Sequence, residues 1–199
     1  MRDQTIVDQA QRPSGFLGRM MGEVMAATNR PRNTWLLGQL DIQPRQRGFE
    51  FGFGNGETLT GFLDRSDGGS ALGVDWSQAM IDTAASRNKA AIKDHRLQLV
   101  CGDVADPTFK IDGLFDRIWC SNVIQMIEDR PGLFVRLHAN LASQGLLALC
   151  FQPRGPSAPP PRVLAPKCLA DLKNAGYNQV EVCWMPNASP EAFCIVARP

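Results

Sequence analysis

Gly48-Phe49-Glu50-Phe51-Gly52-Phe53-Gly54-Asn55-Gly56-Glu57 decides how the rest of the 199-residue chain is read. A short apolar run carrying one acid breaks into glycines at alternate positions, and a helix-compatible segment, Glu57 to Asp64, follows. Physically this is a strand that turns sharply into a helix, with glycine wherever a side chain would block the turn or hold a ligand off the backbone. Three nucleotide-binding patterns share that outline. A phosphate-cradling P-loop needs Lys and then Ser or Thr after its last glycine, whereas Glu57-Thr58 stand there. A dinucleotide fingerprint needs glycine three residues after its second glycine, and position 57 is Glu. What is left is acid-x-Gly-x-Gly-x-Gly, or a glycine turn with a purely structural role.

Beyond the turn, strand-like and helix-like segments alternate. Ala71 to Asp75 predicts a second strand ending in an acid, and Ser77 can cap a helix whose apolar face is Met80, Ile81, Ala84, Ala85 and Ile92. Leu97 to Cys101 is a third strand, ending in Gly102-Asp103-Val104, and Phe115 to Cys120 a fourth, ending at Ser121-Asn122. Asp129 and Pro131 open a helix with Leu133, Phe134, Leu137 and Leu141 inward; Gly145 stops it, and Leu146 to Phe151 is a fifth strand. The prolines at 153, 156, 159, 160, 161 and 166 make either an extended spacer or a stiff wall beside a site. A last helix, from about Pro166 to Ala175, ends at Gly176, and Gln179 to Trp184 and Ala192 to Ala197 close the chain as a hairpin. These alternations predict an α/β fold: a doubly wound, seven-stranded, mostly parallel sheet with its ligand at the carboxyl ends of the strands.

Ahead of the first strand, residues 1–14 read as a polar arm. Phe16, Leu17, Met20, Met21, Val24 and Met25 make a helical stripe, and Pro31 suits the first turn of a second helix, Arg32 to Leu40, carrying Trp35. The stripe reads as ordinary core packing or, because methionine adapts to irregular apolar shapes, as a lid over a ligand. On the second reading residues 1–40 are an arm with two lid helices, residues 41–199 are the ligand-binding domain, and Met21, Met25 and Trp35 meet a substrate.

Composition narrows the classes. The chain is 44% hydrophobic and 21% charged, as a globular protein is, and its formal charge of +1 gives no general pull toward nucleic acid or an anionic membrane. Residues 1–47 hold seven arginines against four acids, which flank a substrate channel or form a solvated surface. No two of the six cysteines have CxxC spacing, so neither a metal site nor a redox motif is expected. The N-terminus opens no signal peptide and no run of about 18 apolar residues exists to span a bilayer, so a cytoplasmic protein is expected.

Glu50, Asp75 and Asp103 fall at or near the carboxyl ends of the first three strands, and Asn122 ends the fourth. Each acid alone can be a solvated strand-end residue. Together they suit a ligand offering cations and hydroxyls, where a phosphate ligand would want Lys or Arg. With the glycine turn, this set resembles the class I S-adenosylmethionine-dependent methyltransferases over nearly the whole stretch from Arg47 to Pro199, and the N-terminal half is similar to small bacterial members of the quinone-biosynthesis type. The resemblance implies that the turn Gly52, Gly54, Asn55 and Gly56 approaches the methionyl and adenosyl parts of S-adenosyl-L-methionine. It implies that Asp75 takes the ribose hydroxyls, that Asp103 accepts from the adenine amino group, and that the Val104 amide meets an adenine nitrogen. Glu50, Trp76 and Asn122 complete the implied cofactor site.

The segment Ser121-Asn122-Val123-Ile124-Gln125 is similar to the family's fourth motif, where cofactor and acceptor meet. It is not the Asn-Pro-Pro-Tyr type associated with amide or adenine nitrogens, and no Pro-Cys nucleophile suggests cytosine chemistry. Gly48 departs from the aliphatic residue usual in the first strand. The implied reaction is methyl transfer to a small-molecule acceptor by in-line displacement, which holding the partners aligned can accelerate without a protein base. If a base acts, Gln125 (through water) and Glu128 are the candidates; His95 and His138 read as surface residues and Tyr177 as packing. A non-catalytic S-adenosylmethionine-binding partner subunit, or a related enzyme moving another group, fits the same residues.

Overall fold

In the computed structural model, residues 29–199 are described. Helix α1 (residues 29–39) leads into strand β1 (Arg47–Phe51), followed by α2 (Glu57–Arg65), β2 (Ser70–Asp75), α3 (Gln78–Arg87), α4 (Lys89–Lys93), β3 (Leu97–Cys101) and β4 (Phe115–Ser121). A short 3₁₀ turn (Ile124–Met126) then precedes α5 (Arg130–Ala139), β5 (Leu141–Phe151), α6 (Pro161–Asn174), β6 (Gln179–Trp184) and β7 (Phe193–Arg198). The seven strands form one sheet in the order β3-β2-β1-β4-β5-β7-β6, with β7 antiparallel to both neighbours and the other pairings parallel.

Period-two alternation sorts the strand residues onto two faces. Ile118, Leu147 and Leu149 join Phe49 and Phe51 in a cluster with Leu133, Phe134 and Leu137 of α5 and Leu164, Cys168 and Leu172 of α6. Trp119, Leu146 and Ala148 point the other way, into a cluster with Leu59, Phe62 and Leu63 of α2 and Ala84 of α3. Both faces are covered, which is why Leu146 to Phe151 reads as an unbroken apolar run and is buried throughout.

Helix α1 belongs to this folded unit. Its Leu36, Leu37 and Leu40 are buried in the second cluster, and the buried Arg117 of β4 donates to the carbonyls of Leu40 and Asp41 at the end of that helix. Leu36, Leu37 and Leu40 of this helix therefore belong to the core, in one cluster with Phe62 and Trp119, whereas Arg32 and Asn33 at its start line the cavity described below. The predicted stripe from Phe16 to Met25, with Met21 and Met25, lies outside the described residues.

Three other boundaries differ. The helix after Asp129 ends at Ala139, not Gly145, because Asn140 caps it and ties its own side chain to the carbonyls of Ile111 and Gly113 at 2.7 and 2.8 Å; residues 142–145 then form an irregularity at the start of β5. The single helix predicted after Ser77 breaks at the buried Asn88. The last helix starts at Pro161, at the first helical position where a missing N–H costs nothing, and carries Pro166 inside it; Leu164, Ala165, Cys168 and Leu172 hold it to the core across that interruption. Gly176 does end it, at φ +98°.

Gly48 has a steric reason. A Cβ there would lie 2.7 Å from the Phe62 ring and 2.8 Å from Trp119, whose rings stack at a 4.8 Å centroid distance. Gly48→Ala is expected to lower unfolding stability in urea by about 1–3 kcal/mol through overpacking.

Candidate cofactor site

The turn after β1 is held by backbone and by one carboxylate. Gly52 N–H donates to the Val74 carbonyl at 2.7 Å, extending the β1–β2 ladder past the end of the strand. Asp75, closing β2, then accepts from the Gly54 amide through Oδ2 (2.9 Å) and from the Ser77 amide through Oδ1 (3.0 Å). Ser77 stands at the cap of α3 as expected, but its amide, anchored to Asp75, is what orients that helix start. Asn88 clamps the turn from outside, accepting from Thr60 Oγ1 at 2.7 Å while its amide nitrogen bonds the Ala84 and Gly56 carbonyls.

The three glycines of the turn have φ of +65°, +56° and +74°, and they do different jobs. A Cβ on Gly52 would lie 2.3 Å from Val123 and one on Gly56 would lie 2.7 Å from Ala84. Around Gly54 nothing comes within 4 Å, so the room its missing side chain leaves opens onto the site.

That site is a cavity of about 270 Å³ at the carboxyl ends of β1 to β4, at the small end of the range for small-molecule pockets. Glu50, Gly52, Gly54, Asn55, Asp75, Trp76, Asp103, Val104 and Asn122 all line it, so most of the residues picked from sequence meet in one place. Gly56 does not; it packs behind the turn.

Glu50 is buried, and burial pushes its carboxyl up to about 8 despite the hydrogen bond its Oε1 accepts from Thr58. The Trp119 indole acts on the same carboxyl and, like Thr58, opposes the rise, while Asn55 Nδ2 has no hydrogen-bond partner among the described residues. Burial also raises Asp75, opposed by the amides of Ser77 and Gly54. Asp103 is exposed, and its Oδ1 accepts from the Ala105 amide at 2.8 Å. Arg136 fixes the loop behind it by donating to the Val104 and Phe109 carbonyls at 2.6 and 3.2 Å. Asn122 adopts φ +57° and spends its amide on the Gln152 backbone, donating to the carbonyl at 2.9 Å and accepting from the N–H at 2.8 Å. It shapes the cavity wall more than it offers a free polar group.

Three candidates for acceptor or catalytic roles do not reach the cavity. Trp35 packs against the second core cluster. The 3₁₀ turn leaves Gln125 donating back to the Asn122 carbonyl at 2.8 Å and faces Val123, Met126 and Ile127 to the cavity instead, while Glu128 is exposed beyond it. Arg32 of the arginine-rich first segment and Ser121 of the Ser121 to Gln125 segment, both placed near a site by the sequence, line the cavity, and the residues the sequence reading passed over include Asn33, Thr58, Met80 and Met126. Thr58 stands in the first turn of α2, two residues past Gly56, and that spacing is the signal that could have pointed to it. Among the described residues no cluster of His, Cys, Asp and Glu could hold a metal ion, and no helix is long and apolar enough to cross a membrane.

The chemistry of this wall fits a ligand with positive and hydroxyl groups: the acids Glu50, Asp75 and Asp103 along the strand ends, and open space at Gly54. Comparison with known proteins agrees. A family model described as a methyltransferase domain matches residues 49–147. An uncharacterized methyltransferase, YdaC, of Bacillus subtilis is 29% identical over 181 residues, covering 89% of this chain and 96% of the relative. A precorrin-6y C5,15-methyltransferase of Geobacter metallireducens superposes with a TM-score of 0.65 at 14% identity, covering 83% of this chain and 86% of that one. A phosphoethanolamine N-methyltransferase of Haemonchus contortus, solved with phosphomonomethylethanolamine and S-adenosylhomocysteine, superposes with a TM-score of 0.69 at 17% identity, covering 85% of this chain and 52% of that one. The chain belongs to the class I S-adenosylmethionine-dependent methyltransferases. It is an enzyme of that class, with S-adenosyl-L-methionine as its cofactor.

Two outcomes follow from the geometry. Gly54→Ala is expected to cost about 1–2 kcal/mol of stability for its positive φ, but to weaken S-adenosylhomocysteine binding by more than that in calorimetry. Gly52→Ala should reverse the balance, since Val123 must move. For Glu50, the folded protein keeps a proton that the unfolded chain releases between the ordinary value of 4.5 and about 8. Ligand-free stability should therefore fall as pH rises through that window and level off above it. In thermal melts from pH 5 to 8, Glu50→Gln should flatten the slope.

Proposed function

We propose that the cavity holds S-adenosylmethionine along the strand ends, with the turn from Gly52 to Asn55 against its central part. The ribose diol then lies at Asp75, the adenine at Asp103 and the Val104 amide, and the methionyl ammonium at Glu50. The cofactor supplies a methyl group on a cationic sulfur. The observation that carries this reading is Gly54: its neighbours are glycine because protein atoms leave no room, whereas it faces open cavity.

The acceptor we infer is a small molecule, entering on the β4 side between Val123, Met126 and Ile127. Trp76 and Met126, each 41% exposed at the rim, give that entrance an apolar edge. Among the described lining residues the titratable side chains are Arg32, Glu50, Asp75 and Asp103, with no His, Lys, Tyr or Cys. With the three lining acids assigned to the cofactor, rate acceleration rests on alignment and exclusion of water.

The purified protein incubated with isotopically labelled S-adenosylmethionine and a small-molecule extract should yield a metabolite heavier by one labelled methyl group in mass spectrometry; label appearing only in macromolecules would overturn the acceptor assignment. Asp75→Ala should weaken cofactor binding by roughly 1–3 kcal/mol, because a buried diol loses its charged acceptor. Asp75→Asn, which keeps one acceptor, should fall between. Unchanged affinity in a folded Asp75→Ala variant would remove Asp75 from the cofactor site.

A further inference from the structure

The loop from Gly102 to Gly113, between β3 and β4, is held in place by α5. Its first residues, Gly102 to Ala105, line the cavity, with Val104 buried and Asp103 exposed. Local bonds fold the loop on itself: Asp103 Oδ1 accepts from the Ala105 amide at 2.8 Å, the Asp103 carbonyl from the Asp106 amide at 3.2 Å, and the Asp106 carbonyl from the Phe109 amide at 3.0 Å. The guanidinium of Arg136 then grips the loop at both ends of that fold. Its Nη2 donates to the Val104 carbonyl at 2.6 Å and its Nη1 to the Phe109 carbonyl at 3.2 Å, a two-point hold that suits the planar fork of arginine. Arg136 makes no ion pair among the described residues. One turn further on, Asn140 at the cap of α5 holds the Ile111 and Gly113 carbonyls at 2.7 and 2.8 Å. The anchor is itself fixed, because Leu133, Phe134 and Leu137 bury α5 in the first core cluster. Phe109 packs on that cluster too, and its ring lies 2.4 Å from where a Cβ on Gly102 would stand.

The head of this loop carries the Asp103 carboxylate and the Val104 amide. Pairing of β3 with β2 ends at Cys101, so the sheet does not fix either group. Adenine offers an amino donor beside a ring-nitrogen acceptor, and a carboxylate next to an amide N–H reads both only at a set separation. Hydrogen bonds weaken steeply once distance and angle drift. We propose that Arg136 is a positioning residue that sets the preference for adenine over other purines by holding the Val104 and Phe109 carbonyls. It does not line the cavity, so it acts through the loop and not by contact with the cofactor. Hypoxanthine is the sharpest contrast, because it reverses both groups: its oxo group would face the carboxylate and its N1–H the amide. Lysine at 136 can serve one carbonyl at a time, and methionine neither. The proposal rests on the reading of the cavity as the S-adenosylmethionine site with adenine at Asp103.

The test compares S-adenosylhomocysteine with S-inosylhomocysteine, which carries hypoxanthine in place of adenine, by calorimetry on the wild type, Arg136→Met, Arg136→Lys and Asn140→Ala. The wild type should prefer the adenosyl ligand by at least about tenfold. Arg136→Met should bring that preference to within about threefold, chiefly by losing S-adenosylhomocysteine affinity, and Arg136→Lys should keep an intermediate preference. Asn140→Ala removes the neighbouring tie to the same loop. It should lower the melting temperature and leave the preference at its wild-type value, which separates positioning from loop stability. A wild-type preference retained in Arg136→Met overturns the proposal, as does an equal loss of preference in Asn140→Ala. If Arg136→Met does not fold, Arg136→Lys decides, and a wild-type preference there overturns it. Those outcomes leave the cofactor reading standing. A wild type that binds both ligands equally removes adenine from Asp103 instead, and the role of Arg136 with it.

Discussion

The Asp75 carboxylate joins two turns that belong to different parts of the chain. Because β1 and β2 run in register, with Phe51 opposite Val74, the first residue past β1 still reaches the Val74 carbonyl, and the Gly54 amide arrives over Asp75. The other oxygen holds the amide that starts α3. A buried carboxylate is unfavourable alone, and two charge-assisted hydrogen bonds to backbone offset much of that. The shape of the glycine turn, the entry angle of α3 and the floor of the cavity all follow from this one group. A functional acid at this position is therefore also a folding element, and variants there report on both roles.

The cavity concentrates groups that a protein selected for stability alone would pair or remove. Glu50, Asp75 and Arg32 are all buried, yet none makes an ion pair among the described residues. Asn122 adds a left-handed backbone conformation beside them. Elsewhere the chain follows ordinary rules: Arg130 pairs with Asp171, and Arg162 with Glu191. The contrast between paired charges on the outer helices and buried titratable groups without an ion pair at the strand ends marks where a ligand completes the structure.

Much of this was legible in the sequence because it depends on local pattern. Alternating apolar runs, the glycine turn and the acids closing Asp75 and Gly102-Asp103 fix which strand ends face the ligand. The two-sided core follows from the same alternation, whereas the strand order comes from the structure alone. What did not show was anything set by contacts distant in sequence. Arg32 sits in a helix whose stripe of Leu36, Leu37 and Leu40 reads as packing, and only its bond to Ser121, 89 positions away, reveals that its head enters the cavity. Trp35 falls in the segment that reads as a lid, but its angular position on α1 turns it to the core. Gln125 and Glu128 follow Asn122 closely in sequence, and a 3₁₀ turn of three residues suffices to turn them away. Asn140 and Asn88 ended helices early through side-chain bonds to loops that periodicity cannot foresee.

Gly48, Phe62 and Trp119 occupy one volume shared by three distant positions. Divergence in this part of the protein is consequently coupled: a larger residue in the first strand becomes acceptable only once one of the two rings has shrunk, and the effects of such exchanges will not add. A lineage can reach the aliphatic version only through a less stable intermediate or a simultaneous change. Trp119 also lies opposite Glu50 in the β1–β4 register. The aromatic solution adopted here thus sets the surroundings of the buried acid, and the history of a packing choice in the core carries over into the electrostatics available at the strand end.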